Sequence, residues 1–150
     1  MIVYKKHSDI FEQKVKAIVN PVNCVGVMGK GLALQFKNKF PDNFEIYKDA
    51  CAKKEVVSGK MLVCEVSDDT SSQYIVNFPT KQHWRDSSRM EDIISGLDDL
   101  VKTIHRLSID SIAIPPIGCG LGGLNWTAVK SHIENKLSTL TDVQIIVLEP

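Results

Sequence analysis

The feature that most constrains this chain is a glycine-rich segment between an apolar run and a helical pattern. Residues 15–19 are mostly apolar and predict a strand, Gly26, Gly29 and Gly31 follow, and a helical pattern starts near Leu32. Glycine has no Cβ, so backbone N–H groups in such a loop approach a ligand closely. The start of a helix adds unpaired donors and the positive end of the helix dipole. The segment therefore predicts an anion site, most often one for phosphate.

The glycine spacing excludes two common phosphate motifs. It reads G-x-x-G-x-G, not the G-x-G-x-x-G of dinucleotide sites, and Gly31 follows Lys30 where a P-loop has Ser or Thr. A tight turn from strand to helix remains the alternative explanation of the glycines alone. Asn23 favours a ligand, because its amide can donate to and accept from sugar hydroxyls. We call residues 23–31 the first glycine loop.

A second glycine loop, residues 116–123, follows another predicted strand near the end of the chain. Two such loops facing each other would hold a diphosphate with backbone donors and would need few Lys or Arg side chains. The alternative is a flexible connector, which the apolar Ile117 and Leu121 argue against. The pair of loops therefore indicates a cleft for an extended anion.

Lys81 lies in a segment without periodicity, residues 79–85, which we call the Lys81 loop. A lysine in a partly desolvated pocket can lose its proton and act as a nucleophile, whereas a nearby diphosphate would keep it charged. The sequence leaves both roles open, and a solvated surface lysine is the third explanation. Trp84 is either a core residue or a surface on which a nucleotide stacks, and Arg85 either caps a helix or pairs with Asp86.

Strands and helices alternate along the chain, which predicts an α/β fold with a largely parallel sheet between helical layers. The carboxyl ends of parallel strands meet at one edge, so the two glycine loops and the Lys81 loop should share one cleft. The predicted strands are residues 2–4, 15–20, 61–66, 74–78, 111–115 and 143–148. The predicted helices start near Leu32, Phe44, Ser88 and Asn125, and Pro41 marks the end of the first one.

Finer expectations concern helix starts and burial. Asp42 or Asn43 should cap the second helix, Asn125 should cap the last one, and Ser88 with Glu91 forms a capping-box pattern before the clearest helix. The nearly continuous apolar run of residues 61–66 predicts a strand buried on both faces. Residues 67–72 predict a polar turn.

Composition restricts the function further. The chain of 150 residues has the length of one domain. Its formal net charge of zero excludes binding to nucleic acid through an overall positive charge, so any contact with nucleic acid should be local. Four cysteines without C-x-x-C spacing and scattered histidines argue against structural zinc and favour reduced thiols in the cytoplasm. We expect no metal, no cofactor and no membrane segment.

These motifs resemble those of macrodomains, whose fold is a three-layer α/β/α domain with a mostly parallel mixed central sheet. The resemblance covers essentially the whole chain: Asp9-Ile10 matches the Asp-Ile that holds adenine, and residues 19–23 match V-N-x-x-N, whose second Asn meets the distal ribose. The glycine loops match the two phosphate loops. The resemblance implies these ADP-ribose contacts: Asp9, Ile10, Asn23, Val27, Met28, Gly29, Lys30, Gly31, Ile117, Gly118, Cys119, Gly120, Leu121 and Gly122.

Within the family, residues 23–31 and 78–85 look like the DarG antitoxins, a branch related to the human terminal ADP-ribose glycohydrolase. This likeness implies a hydrolase that removes the ADP-ribose placed on thymidine in single-stranded DNA by a DarT-type toxin, with Lys81 and Asn23 as catalytic residues. His83, Trp84 and Arg85 either contact the DNA or only hold the loop. The human relative has an acidic residue where this chain has Gly122, so a mechanism that needs both lysine and acid does not carry over intact.

Two other functions fit the same pocket. One is a non-catalytic module that binds ADP-ribose, and the other is a hydrolase of protein-linked ADP-ribose esters or of ADP-ribose 1″-phosphate. We expect residues 1–150 to form one monomeric macrodomain, either a short natural protein or the N-terminal domain of a longer one. The resemblance implies that a region absent from this chain binds the toxin.

Overall fold

The computed structural model describes residues 1–66 and 72–150. Within these residues the chain forms six strands and four α-helices, with two short 3₁₀ helices at Ile10–Glu12 and Gly120–Gly122. The elements are β1 (Ile2–Lys5), β2 (Ala17–Val22), α1 (Gly31–Lys39), α2 (Pro41–Ala52), β3 (Leu62–Glu65), β4 (Tyr74–Pro79), α3 (Met90–Arg106), β5 (Ser111–Ile114), α4 (Trp126–Leu137) and β6 (Gln144–Leu148).

The strands form one sheet in the order β1-β6-β5-β2-β4-β3. All neighbours are parallel except β3, which pairs antiparallel with β4. The strands β5, β2 and β4 are therefore adjacent and parallel, and the segments that leave their carboxyl ends emerge side by side at one edge of the sheet.

Helices cover both faces of the sheet. On one face α3 and α4 bury apolar side chains against the strands, and on the other face α1, α2 and the first 3₁₀ helix do so. Leu97, Leu100 and Ile104 of α3 are at most 1% exposed, as the periodicity of that segment predicts. The predicted α/β class with three layers is confirmed. No helix in the described ranges has the length and apolar character needed to cross a membrane.

Five of the six strands match the predicted bounds to within one residue at each end, and two differences matter for the fold. The strand predicted at residues 15–20 is β2, which begins at Ala17, because the ladder to β4 starts with the pair Ala17–Tyr74. The prediction that residues 61–66 form a strand buried on both faces was wrong. Here β3 is at the edge of the sheet, and Glu65 is exposed.

The predicted cap of the second helix was also wrong. Pro41 is the first residue of α2 and Phe40 is its cap, so neither Asp42 nor Asn43 caps the helix. Proline suits this first position because its fixed φ is helical and its missing N–H would have no partner there. Asn43 is instead buried and exchanges two hydrogen bonds with Asn77.

The capping box predicted from Ser88 and Glu91 does not form. The helix α3 begins at Met90 with Arg89 at the cap, and no side chain accepts a hydrogen bond from its first turn. Glu91 forms an ion pair with Arg89 instead. Ser88 therefore lies outside the helix, and its N–H donates to the Gly122 oxygen at 2.9 Å.

The cap predicted for the last helix is confirmed. The Asn125 Oδ1 accepts a hydrogen bond of 3.1 Å from the Ala128 N–H at the start of α4. The polar turn predicted for residues 67–72 falls, except for its last residue, outside the described residues.

Candidate functional site

The first glycine loop and the Lys81 loop are joined by backbone hydrogen bonds that extend the pairing of β2 with β4. The Thr80 N–H donates to the Val22 oxygen at 2.8 Å, and the Cys24 N–H donates to the Gln82 oxygen at 2.9 Å. These bonds continue the parallel ladder beyond the strands. The backbone of Asn23 therefore runs alongside the segment that carries Lys81.

The second glycine loop lies next to the other two loops. Its Gly122 oxygen accepts a hydrogen bond of 2.9 Å from the Ser88 N–H, just after the Lys81 loop. Its Leu121 Cδ1 lies 3.8 Å from the place where a Cβ on Gly31 would be. The structure thus brings together the three loops that the sequence predicts to share one edge.

Both glycine loops present unpaired backbone donors. In the described part of the chain, no acceptor contacts the N–H groups of residues 28–33, where α1 begins without a side-chain cap. The N–H groups of Gly118, Gly120 and Leu121 likewise have no partner there. Unpaired donors at a helix start, next to a second row from another loop, favour the binding of an anion.

Asn23 shapes the first glycine loop. Its Nδ2 donates to the Val27 oxygen at 2.8 Å, and its Oδ1 accepts from the Val25 N–H at 3.0 Å and from the Tyr47 hydroxyl at 2.6 Å. The side chain is only 6% exposed. The Asn23 amide therefore has a structural role in this loop, and its contact with a ribose stays a prediction.

Tyr47 is a site residue that the sequence analysis missed. It is fully buried in α2, and its hydroxyl donates to both the Oδ1 and the backbone oxygen of Asn23. Burial, followed by the neighbouring Cys51, raises the pKa of Tyr47 well above its usual range, so the phenol stays protonated as a donor. In the sequence, Tyr47 belongs only to a pattern of apolar residues with helical spacing, which predicts a core residue and not a site residue.

We expect Tyr47→Phe to lower the free energy of unfolding by about 1–3 kcal/mol, because two buried oxygens of Asn23 lose a donor. Calorimetric titration should also show weaker binding of ADP-ribose, since the loop loses its support. Tyr74→Phe is the matched control, because that hydroxyl donates to no group among the residues described. A Tyr47→Phe protein that unfolds in urea like the wild type would contradict this role.

Lys81 is half-buried, and its Nζ donates to the Trp84 oxygen at 3.1 Å. Trp84 is not a core residue, since it is 44% exposed. The Arg85 guanidinium lies 4.6 Å from its ring centroid, and the His83 ring lies 5.1 Å from it. Asp86 accepts from the His83 N–H and not from Arg85. The Lys81 loop thus presents an aromatic and cationic surface next to its lysine.

Three of the residues predicted to bind ADP-ribose have side chains in the core. Ile10, Met28 and Ile117 are at most 2% exposed, so they offer a ligand only backbone atoms. Asp9 is exposed and its Oδ1 accepts from the Phe11 N–H at 2.9 Å, which starts the first 3₁₀ helix. The structure leaves the contact of Asp9 with adenine as a prediction.

The cysteines offer no activated thiol. Burial and then the neighbouring Cys51 raise the pKa of the Cys24 thiol to about 11, so it stays protonated near neutral pH. All four cysteines are free. Across residues 1–66 and 72–150, no group of three or more His, Cys, Asp or Glu side chains could hold a metal.

A buried asparagine cluster lies beneath the first glycine loop. The Asn77 Oδ1 accepts from the Nδ2 atoms of Asn20 and Asn43 at 3.0 and 3.2 Å, and its own Nδ2 donates to Asn43 and to the Leu62 oxygen. Asn20 also faces the Met28 sulfur at 3.9 Å. The cluster joins β2, β4 and α2. In the sequence, the cluster is indicated only by an asparagine within each of two apolar strands, Asn20 in β2 and Asn77 in β4.

Comparison with known proteins decides the family. The family model described as Macro domain matches residues 19–133, which include both glycine loops and the Lys81 loop. The chain belongs to the macro domain family. The resemblance drawn from the sequence motifs is thereby confirmed.

Relatives of this macro domain carry consistent names. A DNA ADP-ribosyl glycohydrolase of Thermus aquaticus is 49% identical over 142 residues, which cover 95% of this chain and 39% of that protein. The macrodomain of Mycobacterium tuberculosis DarG superposes with a TM-score of 0.97 at 44% identity, over 100% of this chain and 98% of that one. Thermosipho africanus DarTG in complex with ADP-ribose superposes with a TM-score of 0.88 at 35% identity, over 97% of this chain and 41% of that one.

The chain spans about two fifths of the length of the curated relatives that it matches. Their names describe those longer proteins.

Proposed function

We propose that this macro domain is the hydrolase domain of a DNA ADP-ribosyl glycohydrolase. It removes ADP-ribose from thymidine in single-stranded DNA in the cytoplasm, as the antitoxin to a DarT-type ADP-ribosyltransferase. The observation that carries the proposal is the arrangement of the three loops. The Lys81 loop bonds to the first glycine loop, Ser88 just after it bonds to the second, and both glycine loops have unpaired backbone donors. The 49% identity to the Thermus aquaticus glycohydrolase supports the same substrate.

The ligand would lie across the three loops. The diphosphate takes the unpaired N–H groups of the two glycine loops, and the adenine lies towards Asp9 and Ile10. The distal ribose then reaches Asn23, whose backbone runs alongside the Lys81 loop. This arrangement directs C1″, the carbon joined to a ring nitrogen of thymine, towards the Lys81 amine.

The chemical step that we favour uses Lys81 as a nucleophile. The lone pair of the neutral amine forms a bond to C1″, the bond from C1″ to thymine breaks, and its electron pair leaves with the base. The proton released by the nitrogen of Lys81 passes to thymine. The resulting glycosylamine opens to a Schiff base, and water then adds to C1″, which restores the amine and releases ADP-ribose.

A charged Lys81 would act differently, by stabilising the departing thymine anion without forming a bond to C1″. Treatment with borohydride during turnover separates the two roles, because only a Schiff base is reduced to a stable adduct. Mass spectrometry should find ADP-ribose attached at Lys81. Turnover without any adduct would assign the charged role instead.

The surface of His83, Trp84 and Arg85 is the part of the site that we assign to DNA. An exposed indole with a guanidinium and an imidazole nearby suits the stacking of a nucleotide next to the modified base, and such stacking contributes about 1–3 kcal/mol per base. Because Lys81 donates to the backbone of Trp84, the stacked nucleotide would lie close to the reacting carbon.

We expect Trp84→Ala to raise KM for an ADP-ribosylated oligonucleotide about tenfold with a smaller change in kcat, because a stacking contact is lost. ADP-ribosylated thymidine as a free nucleoside should be hydrolysed as before. Arg106→Ala is the control for a generally less positive surface, since that residue lies at the far end of α3. Equal effects of Trp84→Ala on the oligonucleotide and on the nucleoside would contradict a contact with flanking DNA.

The experiment that tests the function is a comparison of substrates with the purified protein. Its arms are ADP-ribosylated single-stranded DNA, a protein carrying ADP-ribose esters, and ADP-ribose 1″-phosphate. Release of ADP-ribose from the DNA supports the proposal. Binding of ADP-ribose without release from any arm would show a non-catalytic module, and release only from the ester or the phosphate would overturn the DNA substrate.

A further inference from the structure

The Ser88 hydroxyl is buried at the edge of the site without a hydrogen bond. Ser88 is only 6% exposed, and its Oγ has no hydrogen-bond partner in residues 1–66 and 72–150. It does not cap α3, which begins two residues later. A buried hydroxyl without a partner makes folding less favourable than an alanine there would, so its presence calls for an explanation outside folding.

The hydroxyl is aimed at the second glycine loop. A Cβ on Gly122 would lie 2.5 Å from the Ser88 Oγ and 3.1 Å from the Ser88 Cβ. Ser88 therefore occupies the space that a side chain at position 122 would enter, and the Ser88 N–H holds the Gly122 oxygen from the same side. Gly122 directly follows Gly120 and Leu121, whose own N–H groups are unpaired. The Ser88 side chain thus packs against the loop that carries these unpaired donors.

We propose that Ser88 contacts the ligand: its hydroxyl binds an oxygen of the ribose-diphosphate part of ADP-ribose held by the second glycine loop. This inference rests on the proposed function only in taking ADP-ribose as the ligand. A hydroxyl donates to a phosphate oxygen, and it both donates to and accepts from a ribose hydroxyl. When the ligand binds, the Ser88 hydroxyl gains the hydrogen-bond partner that it lacks in the free protein. Functional sites contain such groups, which are unfavourable for folding but are used in binding.

Ser88→Ala tests the inference, because a structural role and a ligand role predict opposite results. We expect the melting temperature without ligand to stay the same or to rise by about 2–4 °C, as an unpaired group is removed. The Kd for ADP-ribose in a calorimetric titration should rise about tenfold. A Kd within about twofold of the wild type, or a lower melting temperature, would overturn the inference.

The control is a buried hydroxyl on α3 that already has a partner. Thr103 is 2% exposed and its Oγ1 donates to the Asp99 oxygen at 2.9 Å. Thr103→Val should lower the melting temperature and leave the Kd for ADP-ribose unchanged. The pair of variants separates loss of a hydroxyl from loss of a ligand contact.

Titration with ADP, which lacks the distal ribose, shows which oxygen Ser88 binds. Equal weakening of ADP and ADP-ribose by Ser88→Ala assigns the hydroxyl to the diphosphate, and weakening of ADP-ribose alone assigns it to the ribose. Both results support the contact. A wild-type protein that does not bind ADP-ribose would overturn the proposed function as well, whereas an unchanged Kd in Ser88→Ala overturns this inference alone.

Discussion

Lys81→Ala should reduce the release of ADP-ribose from thymidine in single-stranded DNA by about 10³-fold or more, because the reacting amine is lost. Binding of ADP-ribose should change little, since backbone N–H groups of the two glycine loops hold the diphosphate and neither loop contains Lys81. The measurements are the rate of ADP-ribose release from a modified oligonucleotide and the Kd for ADP-ribose by calorimetry. Turnover near the wild-type rate would reject the assignment of Lys81.

Two further lysine variants refine this test. Lys102→Ala removes an exposed lysine from the C-terminal part of α3 and should leave both measurements unchanged. Lys81→Arg keeps the positive charge but removes the nucleophile, because a guanidinium does not lose its proton in proteins. Substantial activity in Lys81→Arg would favour the charged role, and its absence would favour the nucleophile.

Asn77→Leu should lower the free energy of unfolding by about 3–5 kcal/mol, since it leaves several buried groups without partners at about 1–3 kcal/mol each. Those groups are the Nδ2 atoms of Asn20 and Asn43 and the Oδ1 of Asn43, all within 3.2 Å of the Asn77 amide. The half-buried Leu62 oxygen loses a donor as well. Leucine keeps the branching at Cγ but is larger, so overpacking adds to the loss of hydrogen bonds. Urea unfolding measures it.

Asn135→Leu makes the same substitution at an exposed position of α4 and should change the stability by no more than about 0.5 kcal/mol. We also expect Asn77→Leu to weaken ADP-ribose binding, because Asn20 links the cluster to Met28 in the first glycine loop. An Asn77→Leu protein as stable as Asn135→Leu would show that the cluster is not a structural support.

Two helix caps were predicted wrongly because, at each of them, a tertiary contact outweighed a local sequence motif. Ser88 and Glu91 have the spacing of a capping box, but Gly122 holds the Ser88 backbone and Arg89 binds Glu91. Asn43 is a good capping residue, yet its amide pairs with Asn77 from a strand distant in sequence. A buried hydrogen bond to a distant residue contributes as much as a cap, so spacing alone cannot decide between them.

The order of elements, the family and the positions of the three loops followed from the sequence by itself, because periodicity, glycine spacing and short motifs are local properties of a chain. Only the tertiary structure decided that Tyr47 holds Asn23, that three asparagines meet beneath the first glycine loop, and that Ser88 faces Gly122. These contacts join residues from different elements. The packing of the layers determines which residues contact one another, and no local sequence pattern shows that packing.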